Sequence, residues 1–237
     1  MTNRVLVLTC EHGGARVPPK YRHLFDAKAA RRALASHRGS DLGALPLARA
    51  LQRALRVPLY ASVVTRLLVD LNRSLWHPRL LSEFSEPLDS TERAELLRRY
   101  YFPHRDSVES WIDAQVRRGR QVLHVGVHSF VPKVDGRTRL ADVGILYDPS
   151  RARERSFCKR WKDALRVIDP ELRVRRNYPY LGKSDGLVTA LRRRFAARDY
   201  LGVELEANQA LLESTEGGRR AARSVLASLR SAAALSS

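Results

Sequence analysis

The chain has 237 residues, of which 44% are hydrophobic and 29% are charged. This composition is typical of a folded globular protein and excludes a wholly disordered chain. No apolar run approaches the roughly 20 residues that a membrane-spanning helix needs, and we expect neither a membrane protein nor a cleaved signal peptide. The two cysteines, Cys10 and Cys158, offer no disulfide framework and no paired-cysteine metal site. We therefore expect a cytoplasmic protein, either a monomer or a weak homo-oligomer.

Lys and Arg outnumber Asp and Glu by 43 to 25, which gives a formal net charge of +18. Such an excess attracts phosphate backbones, so a basic nucleic-acid-binding protein without catalysis is one hypothesis. Against it, the charge is nearly all arginine scattered along the chain, aromatic residues make up only 7%, and no nucleic-acid-binding motif occurs. We expect solvated, arginine-rich helix faces and no specific nucleic-acid partner.

Apolar runs bounded by polar residues alternate with segments of helical period. The predicted strands are residues 5–10, 58–65, 121–128, 143–147 and 200–205. The predicted helices are residues 41–55, a long segment that starts near residue 90, and residues 151–167, 187–197 and 218–235. Asp89 is expected to begin the second helix, and Pro103 to break or kink it. The alternation predicts an α/β fold, a single domain over residues 1–237 with a mixed, mostly parallel sheet sandwiched by helices.

Side chains that can bind a metal or transfer a proton stand at the carboxyl ends of three of these strands. The first strand ends in Glu11 and His12, the third in His128 and Ser129, and the last in Glu204. If these strands are parallel and adjacent, two imidazoles and a carboxylate meet at one edge of the sheet, where open α/β folds bind ligands. Two histidines and a carboxylate are the ligand set of a catalytic zinc site, although a single histidine in such a place is more often a hydrogen-bonded core residue.

The rest of the sequence offers few other candidates for a metal ligand or a nucleophile. His124 lies inside a predicted strand and is expected to pack there, whereas His37, one helical turn before Asp41, stays open as a candidate ligand. Phosphate-binding glycine loops and the GxSxG and HExxH motifs are absent. Cys10 beside Glu11 is not in an electropositive setting, so we expect a buried thiol and not a nucleophile.

The segment of residues 65–74 (TRLLVDLNRS) carries a second group of polar residues. Arg66 and Arg73 flank an apolar stretch, and Asn72 stands beside Arg73. A guanidinium grips a carboxylate with two parallel hydrogen bonds, and a neighbouring amide adds a third. The segment therefore indicates a carboxylate-binding site, with a local ion pair between Asp70 and Arg73 as the alternative.

Seven motifs in order resemble the N-formylglutamate amidohydrolase family between residues 5 and 209: CEHGG, DLGA, TRLLVDLNRS, HSF, DVGILYDP, NYPYLGKSDG and LGVELEANQ. That family is grouped with zinc carboxypeptidases and aspartoacylase-like hydrolases, whose fold is a mixed sheet sandwiched by helices. The resemblance implies a metal-dependent hydrolase that cleaves the amide bond of an N-formyl or N-acyl amino acid, with N-formyl-L-glutamate as the first candidate substrate. A related amidase acting on another N-acyl amino acid or a peptide end is the alternative.

The resemblance also implies roles for individual residues. It implies His12 and His128 as ligands of one zinc ion, and Glu204 as the carboxylate that activates the attacking water. Asn72 and Arg73 resemble the pair that holds the substrate carboxylate in such enzymes.

One position departs from the family pattern. The relatives take a second ligand from a glutamate three positions after the first histidine, where this chain has Ala15. We expect Asp41 to replace it, with Glu11 as the other possibility and with helix N-capping as the alternative role of Asp41. Arg66 is implied to polarise the scissile carbonyl or to bind a second carboxylate. The expected cofactor is one zinc ion per chain, although Mn, Co or Fe also suit this donor set.

Overall fold

The computed structural model describes residues 3–233. The strands are β1 Arg4–Cys10, β2 Leu59–Ala61, β3 Gln121–Phe130, β4 Lys133–Val134, β5 Arg137–Thr138, β6 Val143–Leu146, β7 Val174–Arg176 and β8 Tyr200–Asn208. The α-helices are α1 Lys28–Leu34, α2 Ala44–Leu55, α3 Ser90–Leu96, α4 Phe102–Arg117, α5 Ala152–Ile168, α6 Leu187–Arg194, α7 Gln209–Leu212 and α8 Thr215–Ala233. The predicted end of the last helix, residue 235, lies outside the described residues.

Six strands form one mixed sheet in the order β2-β1-β3-β8-β6-β7. All neighbouring pairs are parallel except β6 with β8, which is antiparallel. Helices α2, α5 and α8 pack on one face of the sheet, and α4 and α6 pack on the other. The predicted α/β architecture, a mostly parallel sheet sandwiched by helices, is confirmed.

The face of the sheet under α4 and α6 changes from apolar to polar along the central strands. Because side chains alternate between faces, every second residue of β1, β3 and β8 lies on this face. Near the strand starts these residues are apolar and pack on α4 and α6. Towards the carboxyl ends they are polar and mostly buried: Thr9, Glu11, His124, His128, Glu204 and Glu206. Three adjacent strands thus build one polar patch within the sandwich.

Strands β3 and β8 are longer than the sequence predicts. They pair in parallel register up to Phe130 opposite Asn208, so that His128 and Glu204 lie inside the strands and not at their carboxyl ends. β8 also pairs with β6, so its backbone is bonded on both sides and tolerates Glu and Asn, which have low strand propensity.

The predicted strand at residues 58–65 is too long, since only Leu59–Ala61 joins the sheet. The carbonyl of Ser62 accepts a hydrogen bond from the amide of Gly13 at 3.0 Å, and that of Val63 accepts one from Arg16 at 2.9 Å. This part of the chain is therefore bonded to the loop after β1, and it helps to fix the segment that carries His12.

Two predictions concern the helical segment that starts near residue 90: a cap at Asp89 and a break or kink at Pro103. Asp89 caps α3 as predicted, because its carboxylate accepts the amide hydrogen of Glu92 at 2.8 Å. Pro103 does not end the helix, since a π-helical segment, Leu97–Tyr101, leads directly into α4. Because proline has no N–H to donate to the turn before it, the regular α-helical hydrogen bonding is interrupted just before Pro103.

Both cysteines are free and buried, and no helix of residues 3–233 is long and apolar enough to cross a membrane. Burial raises the pKa of Cys10 to about 12, which agrees with the expectation of an unreactive thiol.

His124 is buried in β3 as predicted, with its ring nitrogens 2.9 Å from Oγ1 of Thr9 and 2.7 Å from the hydroxyl of Tyr200. Burial lowers its pKa to about 4, so as the pH falls the unfolded chain takes up this proton before the folded one does. We expect His124 to contribute a loss of about 3 kcal/mol in the free energy of unfolding between pH 7 and pH 4. Urea unfolding across this range should show a smaller pH slope for His124→Gln, and equal slopes would contradict the prediction.

Candidate active site

Three side chains from separate elements meet at the carboxyl end of β1. His12 follows β1, His128 lies in β3, and Asp41 precedes α2. The alternative role of Asp41 as an N-cap is wrong: the residue before α2 is Gly43, with a φ of 81° and no side-chain cap. A Cβ on Gly43 would lie 2.7 Å from Cβ of Leu212, so only glycine fits, and the Asp41 carboxylate turns towards the two imidazoles.

The three side chains have the geometry of a metal site. Oδ2 of Asp41 lies 3.3 Å from Nδ1 of His12 and 2.9 Å from Nδ1 of His128. One ligand atom from each residue lies within 4.8 Å of the others, and all three residues are buried. Two imidazole nitrogens and a carboxylate oxygen are a donor set that zinc prefers in open, catalytic sites. Glu11, the other possible third ligand, is not part of this group.

The second nitrogen of each imidazole contacts another buried carboxylate. Nε2 of His12 lies 2.7 Å from Oδ1 of Asp70, and Nε2 of His128 lies 3.2 Å from Oε2 of Glu11. Histidine ligands of metals usually donate their other N–H to a carboxylate, which fixes the orientation of the ring. Both rings are therefore held with Nδ1 towards the same point, next to Asp41, and the residues present fit a divalent metal.

Arg66 and His104 extend this network. Arg66 donates from one terminal nitrogen to Oδ1 of Asp41 at 3.2 Å and from the other to Oδ2 of Asp70 at 2.9 Å. His104, from α4, has Nε2 3.4 Å from Oε1 of Glu11. The carboxylates that surround the two imidazoles are thus themselves held by cationic or hydrogen-bonding partners.

Burial and neighbouring charges have opposite effects on the pKa values of the residues in this cluster. Burial raises the pKa of Asp41 and Asp70, but the neighbouring His12 and Arg66 hold it well below its usual range. Burial lowers the pKa of His12 and His128, yet the surrounding carboxylates raise it above the usual value. Without a metal the surrounding carboxylates therefore favour the protonated form of both rings, and a metal has to compete with these protons, so we expect metal affinity to increase with pH.

Glu204 lies beside the candidate metal ligands. Its Oε1 is 4.0 Å from Nε2 of His128 and 3.5 Å from Nδ2 of Asn72. Oδ1 of Asn72 accepts a hydrogen bond from the amide of Leu187, at the start of α6, at 2.7 Å. A Cβ on Gly186 would lie 2.9 Å from that same oxygen, so the glycine allows this close approach.

The guanidinium of Arg73 lies next to Asn72 and donates to the backbone oxygen of Asp185 at 3.1 Å. Its Nε is 3.9 Å from Oδ2 of Asp70, whereas Arg66 and His12 contact the same carboxylate at 2.9 and 2.7 Å. The local pair of Asp70 with Arg73 is therefore the weakest of the contacts of Asp70, and Asp70 acts mainly on His12 and Arg66.

All seven residues singled out from the sequence line one cavity of about 580 Å³. They are His12, Asp41, Arg66, Asn72, Arg73, His128 and Glu204. His37 lies at the same cavity but outside the group of potential metal ligands. The sequence does not reveal that Asp70 and Glu11 lie behind the imidazoles: it suggests Asp70 only as a partner of Arg73 and Glu11 only as a possible third ligand. It also does not single out a third buried carboxylate on the cavity wall, Glu206.

The model of the N-formylglutamate amidohydrolase family (FGase) matches residues 4–213. The chain belongs to this family. Solved structures agree: a gene product from Agrobacterium tumefaciens is 30% identical, with a TM-score of 0.80 over 97% of this chain and 90% of the other. The N-formylglutamate amidohydrolase from Ralstonia eutropha JMP134 is 22% identical, with a TM-score of 0.73 over 97% and 93% of the two chains, and shows the same fold.

More distantly, the CwlD amidase from Clostridioides difficile, solved with the GerS lipoprotein, is 10% identical with a TM-score of 0.51 over 98% of this chain and 99% of the other. None of the curated proteins matches the chain. Membership of the N-formylglutamate amidohydrolase family makes this protein an amidohydrolase, and the resemblance of its seven motifs to that family is confirmed.

Proposed function

We propose that this amidohydrolase cleaves the amide bond of a small N-acyl amino acid, with N-formyl-L-glutamate as the first candidate, and that it requires one zinc ion. The observation that carries the proposal is the buried group of His12, Asp41 and His128, whose ligand atoms lie within 4.8 Å of one another. This group shares a cavity with the half-buried carboxylate of Glu204 and with the guanidinium of Arg73.

A divalent metal held by these ligands would act as a Lewis acid and would lower the pKa of a water molecule bound to it. Glu204 lies next to His128 and lines the cavity, and we assign it the role of general base: it accepts a proton from the attacking water and later donates it to the departing amine nitrogen. Arg66 keeps its positive charge beside Asp41 and Asp70 and exposes 25% of its side chain. We assign it the stabilisation of negative charge that develops on the acyl oxygen.

Asn72 and Arg73 hold the carboxylate of the substrate in this proposal. The contact of Asn72 with Leu187 and that of Arg73 with Asp185 fix both side chains on the wall beside α6. A substrate bound there by its carboxylate has its amide oriented towards Glu204 and the imidazoles, which lowers the entropic cost of reaching the transition state.

Arg73→Ala should raise KM for carboxylate substrates by about tenfold or more with a smaller change in kcat, because a charge-assisted contact to the bound substrate is lost. Steady-state kinetics with N-formyl-L-glutamate measure this effect. Arg73→Lys should recover part of the loss, and Arg118→Ala, at an exposed position, is the control. An unchanged KM in Arg73→Ala would show that this arginine has a structural role only.

The proposed reaction is tested with N-formyl and N-acetyl derivatives of glutamate, aspartate, glutamine and alanine. Release of formate or acetate together with the free amino acid supports an N-acyl amino acid hydrolase. Comparing the rate for N-formyl-L-glutamate with the rates for the other derivatives shows whether it is the best of these substrates. The same substrates with the α-carboxylate converted to an amide should react poorly. No hydrolysis of any member by the zinc-loaded protein would overturn the proposal.

A further inference from the structure

The carboxyl group of Glu206 is buried on the cavity wall without a protein partner. The residue is 6% exposed, and its Oε2 has no hydrogen bond within the described part of the chain. Leaving such a buried acceptor unpaired costs about 1–3 kcal/mol. Every other buried carboxylate around the imidazoles, namely that of Glu11, Asp41 or Asp70, contacts a histidine or an arginine. Glu206 is therefore the exception in an otherwise well-paired cluster.

Its position on the sheet places Glu206 next to the candidate metal ligands. It pairs in register with His128 of β3, and it follows Glu204 by two residues, so the three side chains share one face of the sheet. On the other side, the residue opposite Glu206 is Gly144 of β6, which brings no side chain to the carboxyl group. The open side of Glu206 is thus the cavity itself.

The wall around Glu206 differs from the wall that carries Arg73. Asn72 and Arg73 come from the segment after β2 and are bonded to the start of α6. Glu206 belongs to the wall formed by the carboxyl ends of β3, β6 and β8, together with Ser129, Leu146 and Gln209. If the first wall holds the amino-acid carboxylate, the second is left for the acyl group.

A formyl group carries no hydrogen-bond donor that could pair with the unpartnered Oε2 of Glu206. A carboxyl group keeps acceptor capacity in either protonation state, so its natural partner is a donor on the substrate. A cationic donor on the substrate would supply the missing hydrogen bond of Oε2, and the carboxylate of Glu204 on the same face of the sheet favours a positive charge there.

Resting on the proposed function, we infer that Glu206 recognises an ammonium group on the acyl part of the substrate, so that within the class of N-acyl amino acids this protein prefers aminoacyl amino acids to the N-formyl candidate. Three derivatives of L-glutamate with the same carbon skeleton test this: N-propionyl, N-lactoyl and L-alanyl, which carry hydrogen, hydroxyl and ammonium at one position. The zinc-loaded wild-type protein should hydrolyse the alanyl compound with a kcat/KM at least about tenfold higher than that of the propionyl compound.

Glu206→Gln should remove this preference by lowering kcat/KM for the alanyl compound about tenfold or more, with little change for the propionyl compound. Glu213→Gln, the same change at an exposed position in the following turn, is the matched control. The zinc content of Glu206→Gln should equal that of the wild type, since Glu206 lies outside the ligand group.

Equal rates on the three compounds, a preference for the lactoyl compound, an equal loss on all three in Glu206→Gln, or loss of zinc from that variant would each overturn the inference. These results are distinguishable from failure of the proposed function, because in that case the wild-type protein hydrolyses neither these compounds nor N-formyl-L-glutamate.

Discussion

Replacing Glu204 with Gln should lower kcat by about 100-fold or more while the metal stays bound. Gln has the same size as Glu and can keep the contact with Nδ2 of Asn72, 3.5 Å away, through its amide oxygen. It cannot accept a proton from the attacking water or return one to the amine. Steady-state kinetics on the best substrate, with elemental analysis of the same preparation, measure both parts of the prediction.

The comparison of kcat with KM separates the roles of the residues that line the cavity. Loss of kcat in Glu204→Gln with nearly unchanged KM and zinc content identifies the general base. Full activity in this variant would reject that role. Loss of zinc would instead place Glu204 among the metal ligands, whereas the group of potential ligands found among the described residues is His12, Asp41 and His128.

His128→Asn should weaken zinc binding by about 100-fold or more and abolish hydrolysis, because even residues that only orient a ligand change affinity by 10- to 100-fold. His128 is central in the cluster: its Nδ1 faces Asp41 at 2.9 Å, and its Nε2 faces Glu11 at 3.2 Å. Competition with a chromogenic chelator measures the affinity without reference to activity.

His124→Gln is the matched control for this experiment. His124 lies in the same strand four residues earlier and is equally buried, but it contacts Thr9 and Tyr200 and is not in the ligand group. Its replacement should leave zinc affinity unchanged. Equal zinc affinity in wild type and His128→Asn would contradict the assignment of this metal site.

The parts of the fold that sequence patterns predict well are those fixed by local rules. The run VLVLTC forms β1 because continuous apolar residues suit a strand buried on both faces, and Asp89 caps α3 because Glu92 completes the capping box. The clustering of His12, His128 and Glu204 follows from the rule that parallel strands present their carboxyl ends at one edge. Such inferences need no knowledge of how distant loops fold.

The roles that the sequence does not reveal depend mainly on those loops. Asp70 reaches His12 only because the segment after β2 folds back over β1, and the sequence offered an equally plausible local pair with Arg73. Glu11 contacts the outer nitrogen of His128 across the β1–β3 pair. Glu206 could be predicted from the sequence, because the alternation of side chains along a strand places residues 204 and 206 on the same face of the sheet. The predicted strand ends at residue 205 and therefore leaves Glu206 out.

Some of the many arginines of this chain are used inside the fold. The buried guanidinium of Arg192 contacts Glu154 at 3.1 Å and the backbone oxygen of Gly202 at 2.8 Å, which joins α5, α6 and β8. Arg66 is likewise surrounded by carboxylates at the cavity. These arginines are structural or belong to the candidate active site, so a high arginine content by itself is not evidence for a nucleic-acid partner.

The most direct test of the central claim is the metal content of the purified protein, measured together with its hydrolysis of N-formyl-L-glutamate and the related N-acyl amino acids before and after chelation. We predict about one zinc ion per chain, loss of hydrolysis when a chelator removes it, and recovery when zinc is restored. A protein that hydrolyses these substrates at its full rate with no metal bound would contradict the account.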